Sequence, residues 1–243
     1  MIREGKFMLL AIVLLLSAGC SKVHIKPTKP QSGDKIVIVA EMDLKDPIME
    51  LVFLKENVDF DYHAIRGKKD NNLWVFQFQP DTLTSYVLWR IVDGDSVYFE
   101  NGKGIMIYYG KKPMRLAYYY AGLHKERAIP YPFPISEKEK NKIIREAIKC
   151  YKKELKYYPG EPMAYGRLKV VEYFRIKGDR KRAQYLYRLE KELDSLFNTG
   201  NLYAALSSFN VAYFFEFSKT YDYFKYLSEN PYLPGVLDAS MSY

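Results

Sequence analysis

Three prolines at alternate positions, in Ile129-Pro130-Tyr131-Pro132-Phe133-Pro134, limit how this chain can fold more than any other feature. Proline fixes φ, lacks an N–H and pushes the residue before it out of the helical region. The segment therefore belongs to neither a helix nor an inner strand, and the hydrophobic period changes across it. Ahead of it lie short runs rich in β-branched and aromatic residues, at 36–40, 50–54, 60–65, 73–78, 85–92, 96–100, 104–109 and 115–121. Trp74, Phe76 and Phe78 share one face of a strand, as do Val87, Trp89 and Ile91. Gly67-Lys68-Lys69-Asp70-Asn71-Asn72, Asp93-Gly94-Asp95 and Asn101-Gly102-Lys103-Gly104 supply residues that tolerate tight reversals. Seven or eight short strands predict a two-sheet sandwich of immunoglobulin-like size, with a small barrel as the alternative.

Beyond the prolines the period is helical. Ser136 with Glu139 has the form of a capping box, and Ile143, Ile144, Ala147, Ile148, Tyr151 and Leu155 make one apolar stripe. Pro159-Gly160 stops that helix. Pro162 opens the next, whose stripe is Tyr165, Leu168, Val170, Val171 and Phe174, and Lys177-Gly178-Asp179 breaks it. Ala183, Leu186, Tyr187, Leu189, Leu193 and Leu196 predict a third helix, and residues 202–217 and 221–227 two more. The expected fold class is α+β as two domains: an all-β sandwich over 35–125 and all-α helical hairpins over 136–243, joined by a Pro-rich linker at 126–135.

The helical half resembles tetratricopeptide repeats, which are antiparallel helix pairs of about 34 residues that stack into a solenoid. Ala147, Tyr151 and Pro159 match the family's small–aromatic–proline spacing, and Tyr165 and Leu168 match positions of the following helix. Ala183 with Tyr187 repeats the small–aromatic pair roughly one repeat later. Two residues depart from the pattern: Lys169 stands where a small residue is usual, and so does Glu154. The resemblance implies a concave face that holds a protein segment.

The N-terminus predicts an address. Arg3 and Lys6 precede an apolar run from Phe7 to Leu16, and small residues follow, as in a secretory signal. The run is shorter than the roughly 20 residues that a spanning helix needs. Leu16-Ser17-Ala18-Gly19-Cys20 resembles the bacterial lipobox. That resemblance implies cleavage between Gly19 and Cys20, removal of residues 1–19, and acyl chains such as palmitate on Cys20. Several acyl chains make release from the membrane negligible. Ser21, in place of Asp, points to the outer membrane where there is one. Residues 20–34, with Pro27, Pro30 and Gly33, read as a tether holding the body off the membrane.

Chemistry leaves little trace. With Cys20 consumed by lipid, Cys150 can form neither an internal disulfide nor a redox pair, and it reads as a buried small hydrophobe. His24, His63 and His124 show no spacing for a metal or catalytic centre, and no phosphate-binding or nucleophile motif occurs. Glu56, Asp59 and Asp61 lack the glycine of a calcium loop, and Asp93-Gly94-Asp95 reads as a hairpin turn. No catalytic residue, metal or cofactor is expected. The formal net charge is +8, but an exported chain does not meet nucleic acid, so a basic face near anionic lipid or polymer is the better use of it.

These readings predict a non-enzymatic lipoprotein of the bacterial envelope that docks another envelope protein through its helical repeats. Alternatives are the accessory region of a tethered thioredoxin-like redox protein, on a weak likeness of element order, and a glycan-binding module using the sandwich. The segment 202–217 is apolar nearly all round, which places the expected partner contact at Tyr213, Phe214 and Phe217.

Overall fold

The computed structural model describes residues 22–98, 104–127 and 136–229. Its N-terminal part is a β-sandwich. One sheet has the order β1-β2-β6-β5, made of Lys22–Lys26, Ile36–Glu41, Leu73–Phe78 and Lys68–Asp70. The other has the order β4-β3-β7-β8, made of Phe60–Arg66, Ile48–Lys55, Thr84–Asp93 and Ser96–Tyr98, and β9 (Ile105–Met106) also pairs with β7. A small ribbon of β10 (Tyr108–Tyr109) and β11 (Lys112–Pro113) follows. Strand alternation decides what fills the space between the sheets. Ile36, Ile38, Trp74, Phe76 and Phe78 come from one sheet, and Met49, Leu51, Phe53, Val87, Trp89 and Ile91 from the other. The expected two-sheet sandwich is formed, and its strands match most of the predicted runs.

Two expectations need correction. The first is the tether at 20–34. Residues Lys22–Lys26 form β1, antiparallel to β2 from Lys22↔Glu41 to Lys26↔Val37. Val23 and Ile25 pack against the core while His24 faces out, so even this short, cation-rich run alternates. Farther along, Ser32 N–H donates to Tyr108 O at 2.8 Å, and Pro30 is buried. The second is the strand expected over 115–121. Helix α1 occupies Ala117–Arg127 instead, so the change from strands to helices comes before the Pro-rich segment, and 35–125 is not all β. Aromatic residues favour strands only where a pleated surface receives them. Here Tyr119, Tyr120 and Ala121 are buried against other helices and the outer face of a sheet.

The remaining helices are α2 (Glu137–Tyr157), α3 (Pro162–Phe174), α4 (Asp179–Phe197), α5 (Leu202–Phe214) and α6 (Thr220–Ser228). Glu139 N–H donates to Ser136 Oγ at 3.2 Å, as the capping box predicts. α2 packs on α1 and α3, and α5 packs on α3, α4 and α6. Ala147 and Tyr151 are completely buried. Ala183 and Tyr187 are not: both are exposed, Tyr187 by 60 %, so that small–aromatic pair is a misassigned register. α4 meets α3 through Tyr185, whose hydroxyl donates to Lys169 O at 3.0 Å, and meets α5 through Leu189 and Leu193. The face carrying Ala183 and Tyr187 points away from both contacts. No helix among the described residues is long and apolar enough to cross a membrane.

The two halves are joined at one end of the sandwich. Tyr120 Oη donates to Lys55 O at 2.8 Å, and Arg115 pairs with Glu161 at 2.6 Å while also donating to Glu56 O. A second apolar cluster runs from Tyr86, Leu54 and Leu88 of the sheet through Leu116, Tyr119 and Tyr120 to Tyr151, Leu168 and Val171.

Candidate functional site

Alternate helices α1, α3 and α5 line one concavity, a groove of about 650 Å³. α1 contributes Tyr119 and Leu123. α3 contributes Pro162, Met163, Gly166, Arg167 and Val170, and α5 contributes Asn210, Tyr213 and Phe214. Glu216 and Phe217, after α5, complete one wall with Thr220. Each of the three residues expected to meet a partner lies here. Tyr213 is 57 % exposed and Phe214 46 %, while Phe217 is partly buried.

The helix spacing that forms the groove depends on one glycine, Gly122, and two buried carboxylates; a second glycine, Gly166, leaves room to spare. A Cβ on Gly122 would lie 2.5 Å from Tyr151 Cε1, so α1 approaches α2 closely only because that side chain is missing. At Gly166 a Cβ would meet Asn210 Cβ at 3.7 Å, an ordinary contact across the α3–α5 crossing. Glu154, on α2, is fully buried and accepts from the backbone N–H groups of Leu116, Tyr118 and Tyr119 at 2.7, 2.9 and 3.3 Å. It caps the free N–H groups at the start of α1 from a neighbouring helix. Burial pushes its carboxyl up to about 7, against the pull of those three donors and with the nearby Glu161 adding to the rise. Glu161 is buried as well. It caps α3 through Met163 N–H and neutralises Arg115. Both departures from the repeat pattern thus have local reasons: Glu154 is this cap, and Lys169 pairs with Glu192 of α4 at 2.7 Å.

The groove floor carries one polar cluster. Arg167 forks onto Glu126, with Nε 3.1 Å from Oε2, and Tyr151 Oη also donates to Glu126. Burial pushes the Tyr151 hydroxyl far above its ordinary value, so it stays a donor, and the cluster is internally satisfied. The remaining lining is largely aromatic and aliphatic, with Asn210, Thr220 and the exposed Glu216 as its other polar residues. Such a surface can hold apolar side chains in a defined orientation. It presents no nucleophile–base pair.

α5 ends before the 202–217 run does. Phe217 N–H donates to Ala212 O at 2.9 Å and Glu216 N–H to Tyr213 O at 3.3 Å, around Glu216 at φ +55°. This is the helix-terminating turn that usually takes glycine. It swings Phe217 back beside the helix, with its ring stacked 5.8 Å from Phe215.

The other polar residues singled out from the sequence do not assemble a centre. His24, His63 and His124 lie on β1, β4 and α1; the His63 ring packs 4.6 Å from Phe53, and His124 Nδ1 is 3.1 Å from Tyr86 Oη. Lys55 sits between Asp61 and Asp81 at 2.6 and 3.1 Å, so a cation side chain already neutralises one of the three carboxylates considered for calcium. Asp93 accepts from Lys45 and Asp46 N–H groups, which hold its carboxyl below the usual range. Cys150 is half-buried and its thiol is pushed up by burial. No group of His, Cys, Asp or Glu among the described residues is placed to hold a metal ion. Gly19, Cys20 and the prolines at 130, 132 and 134 lie outside the described residues.

Sequence reasoning missed Tyr119, Leu123 and Arg167 as groove residues. Tyr119 was concealed in a run that reads as a strand, and Arg167 carries no motif. No family model, curated protein or solved structure matches the chain.

Proposed function

We propose that this chain is a lipid-anchored envelope protein, not an enzyme, that holds a partner protein in the groove between α1, α3 and α5. The observation that carries the reading is the placement of Tyr213, Phe214 and Phe217 on one wall of a preformed concavity with satisfied polar groups in its floor. A floor whose polar groups are already paired with each other leaves none of them orphaned when a ligand covers it, and exposed aromatic rings are among the side chains that anchor protein contacts. The tyrosine run at 118–120 and Trp74 do not favour the glycan alternative. Tyr118 stacks on Tyr157 at 5.9 Å, Tyr119 and Tyr120 are buried, and Trp74 is only 6 % exposed, so none forms an open platform for sugar. No observation favours the redox-accessory alternative.

Anchor and groove are tested separately. Cys20→Ala should end incorporation of labelled palmitate and move the protein out of the detergent phase; continued labelling would sink the lipobox reading. A photo-crosslinking residue at Tyr213 or Phe214 should trap the same partner in intact cells, while one at exposed Tyr187 should not. Equal trapping at Tyr187, or none at either groove position, would overturn the docking reading.

A further inference from the structure

We propose that the end of the sandwich formed by β1, β2, β5 and the β7–β8 hairpin rests directly on the lipid surface that holds Cys20. The inference rests on the lipobox reading of Cys20 and goes beyond the groove. Its starting point is the strand that replaces the expected tether. β1 begins at Lys22 and pairs with β2 along its whole length, so only Ser21 stands between the acylation site and the folded body. The two steps from Cys20 to Lys22 reach at most roughly 7 Å. A headgroup layer is roughly 5–8 Å thick, half the difference between the whole bilayer and its hydrocarbon core. The spacer can at most span the headgroups, so Lys22 is held no farther out than their outer boundary.

Antiparallel register identifies what arrives there with it. Lys22 lies opposite Glu41, Ala40 opposite Trp74, and Asp70 opposite Leu73, so the β2 exit and the β5–β6 turn share this end. β3 starts here, since Ile48 pairs with Val92, and Asp93 ties the 42–47 loop to the β7–β8 hairpin through Lys45 and Asp46. Leu73 and Ile48 are 37 % exposed here, Tyr98 38 % and Val97 48 %. Scattered exposed apolar side chains are ordinary on a protein surface; what distinguishes these four is that the short link to Cys20 brings them to the headgroup–acyl boundary, an environment that can cover them. Charge does not explain the contact. Lys45 and Lys69 are matched at this end by Glu41, Asp43 and Asp70, so attraction to anionic lipid is not needed and zwitterionic lipid suffices. The helical half is joined at the opposite end, beside Lys55 and Glu56, a strand length of roughly 25 Å away. The groove is thereby carried on the far side of the sandwich from the lipid.

The test uses the full acylated chain in phosphatidylcholine vesicles containing a lipid-borne quencher. In a Cys150→Ser background, an environment-sensitive dye is placed at Leu73→Cys, Val97→Cys or, as the far-end control, Leu83→Cys. Palmitate incorporation and flotation with the vesicles are scored first. Loss of fluorescence at positions 73 and 97 but not at 83 supports the proposal, as does recovery of that fluorescence when a flexible Gly/Ser insert follows Ser21. A protein that incorporates palmitate and floats, yet is quenched equally or not at all at the three positions, overturns the docking while leaving the anchor intact. A protein that neither takes palmitate nor floats overturns both.

Discussion

The backbone N–H of Leu116 donates to the Glu154 carboxylate at 2.7 Å, joining the residue before α1 to the last turn of α2. Leu116 stands at φ +65°, a left-handed conformation that costs a side-chain-bearing residue about 1–2 kcal/mol. The carboxylate holds it there and lets α1 begin where it does.

This arrangement predicts a pH dependence. The Glu154 carboxyl is raised from its ordinary 4.5 to about 7, so the folded protein binds that proton more tightly than the unfolded chain. The stabilisation is fully present below the unfolded value and is lost as pH rises through about 7. Between roughly pH 5 and roughly pH 8 this group should remove up to about 3 kcal/mol from the urea-derived stability. Glu154→Gln should flatten that slope. An unchanged slope in the variant would show that other groups set it.

Tyr151 and Tyr187 should behave oppositely although the repeat pattern equates them. Tyr151→Ala removes a completely buried ring and should cost about 3–5 kcal/mol. Tyr187→Ala removes an exposed ring with Lys191 Nζ 4.3 Å above it and should change stability by about 0.5 kcal/mol or less. Thermal melts of the two variants decide the matter, and equal losses would restore the rejected register.

Gly122 and Gly166 form a second contrasting pair. Gly122→Ala puts a methyl 2.5 Å from the Tyr151 ring and should destabilise by about 1–3 kcal/mol. Gly166→Ala meets only ordinary contacts inside a helix and should stabilise by roughly 0.5–1 kcal/mol. If both variants melt lower than the parent, the α3–α5 spacing described above is wrong.

Glu216→Gly should raise stability by about 1 kcal/mol, because glycine adopts the left-handed turn after α5 without steric cost. Strained residues persist most often at functional sites. The same substitution should therefore alter trapping at Tyr213 while raising the melting temperature; a lower melting temperature would refute the strain argument.

The sheets were legible because alternation is a local signal: Trp74, Phe76 and Phe78 announce an inner face without reference to anything else. α1 was not legible. Its three consecutive tyrosines favour a strand, and its start depends on a carboxylate contributed by α2. β1 is only five residues long and ends at a proline, so its period was too brief to register. At the groove, the apolar run 202–217 pointed to Tyr213, Phe214 and Phe217, which line it. Arg167 and Tyr119 could not be found, since their roles arise only when α1 and α3 are brought together. The repeat register failed at Ala183 and Tyr187 because Tyr185 and Leu189, two residues on, make the contacts instead.

Because α1 covers Leu54, Leu88 and Met106 on the sheet and also needs Glu154 to start, neither half can complete itself alone. In a chain made from its N-terminus the sheet residues emerge before α2, so that outer face can be covered only after Glu154 has been added. Severing the chain at the prolines would freeze it before that point, with a wet, half-covered sheet on one piece and an empty slot beside Tyr151 on the other.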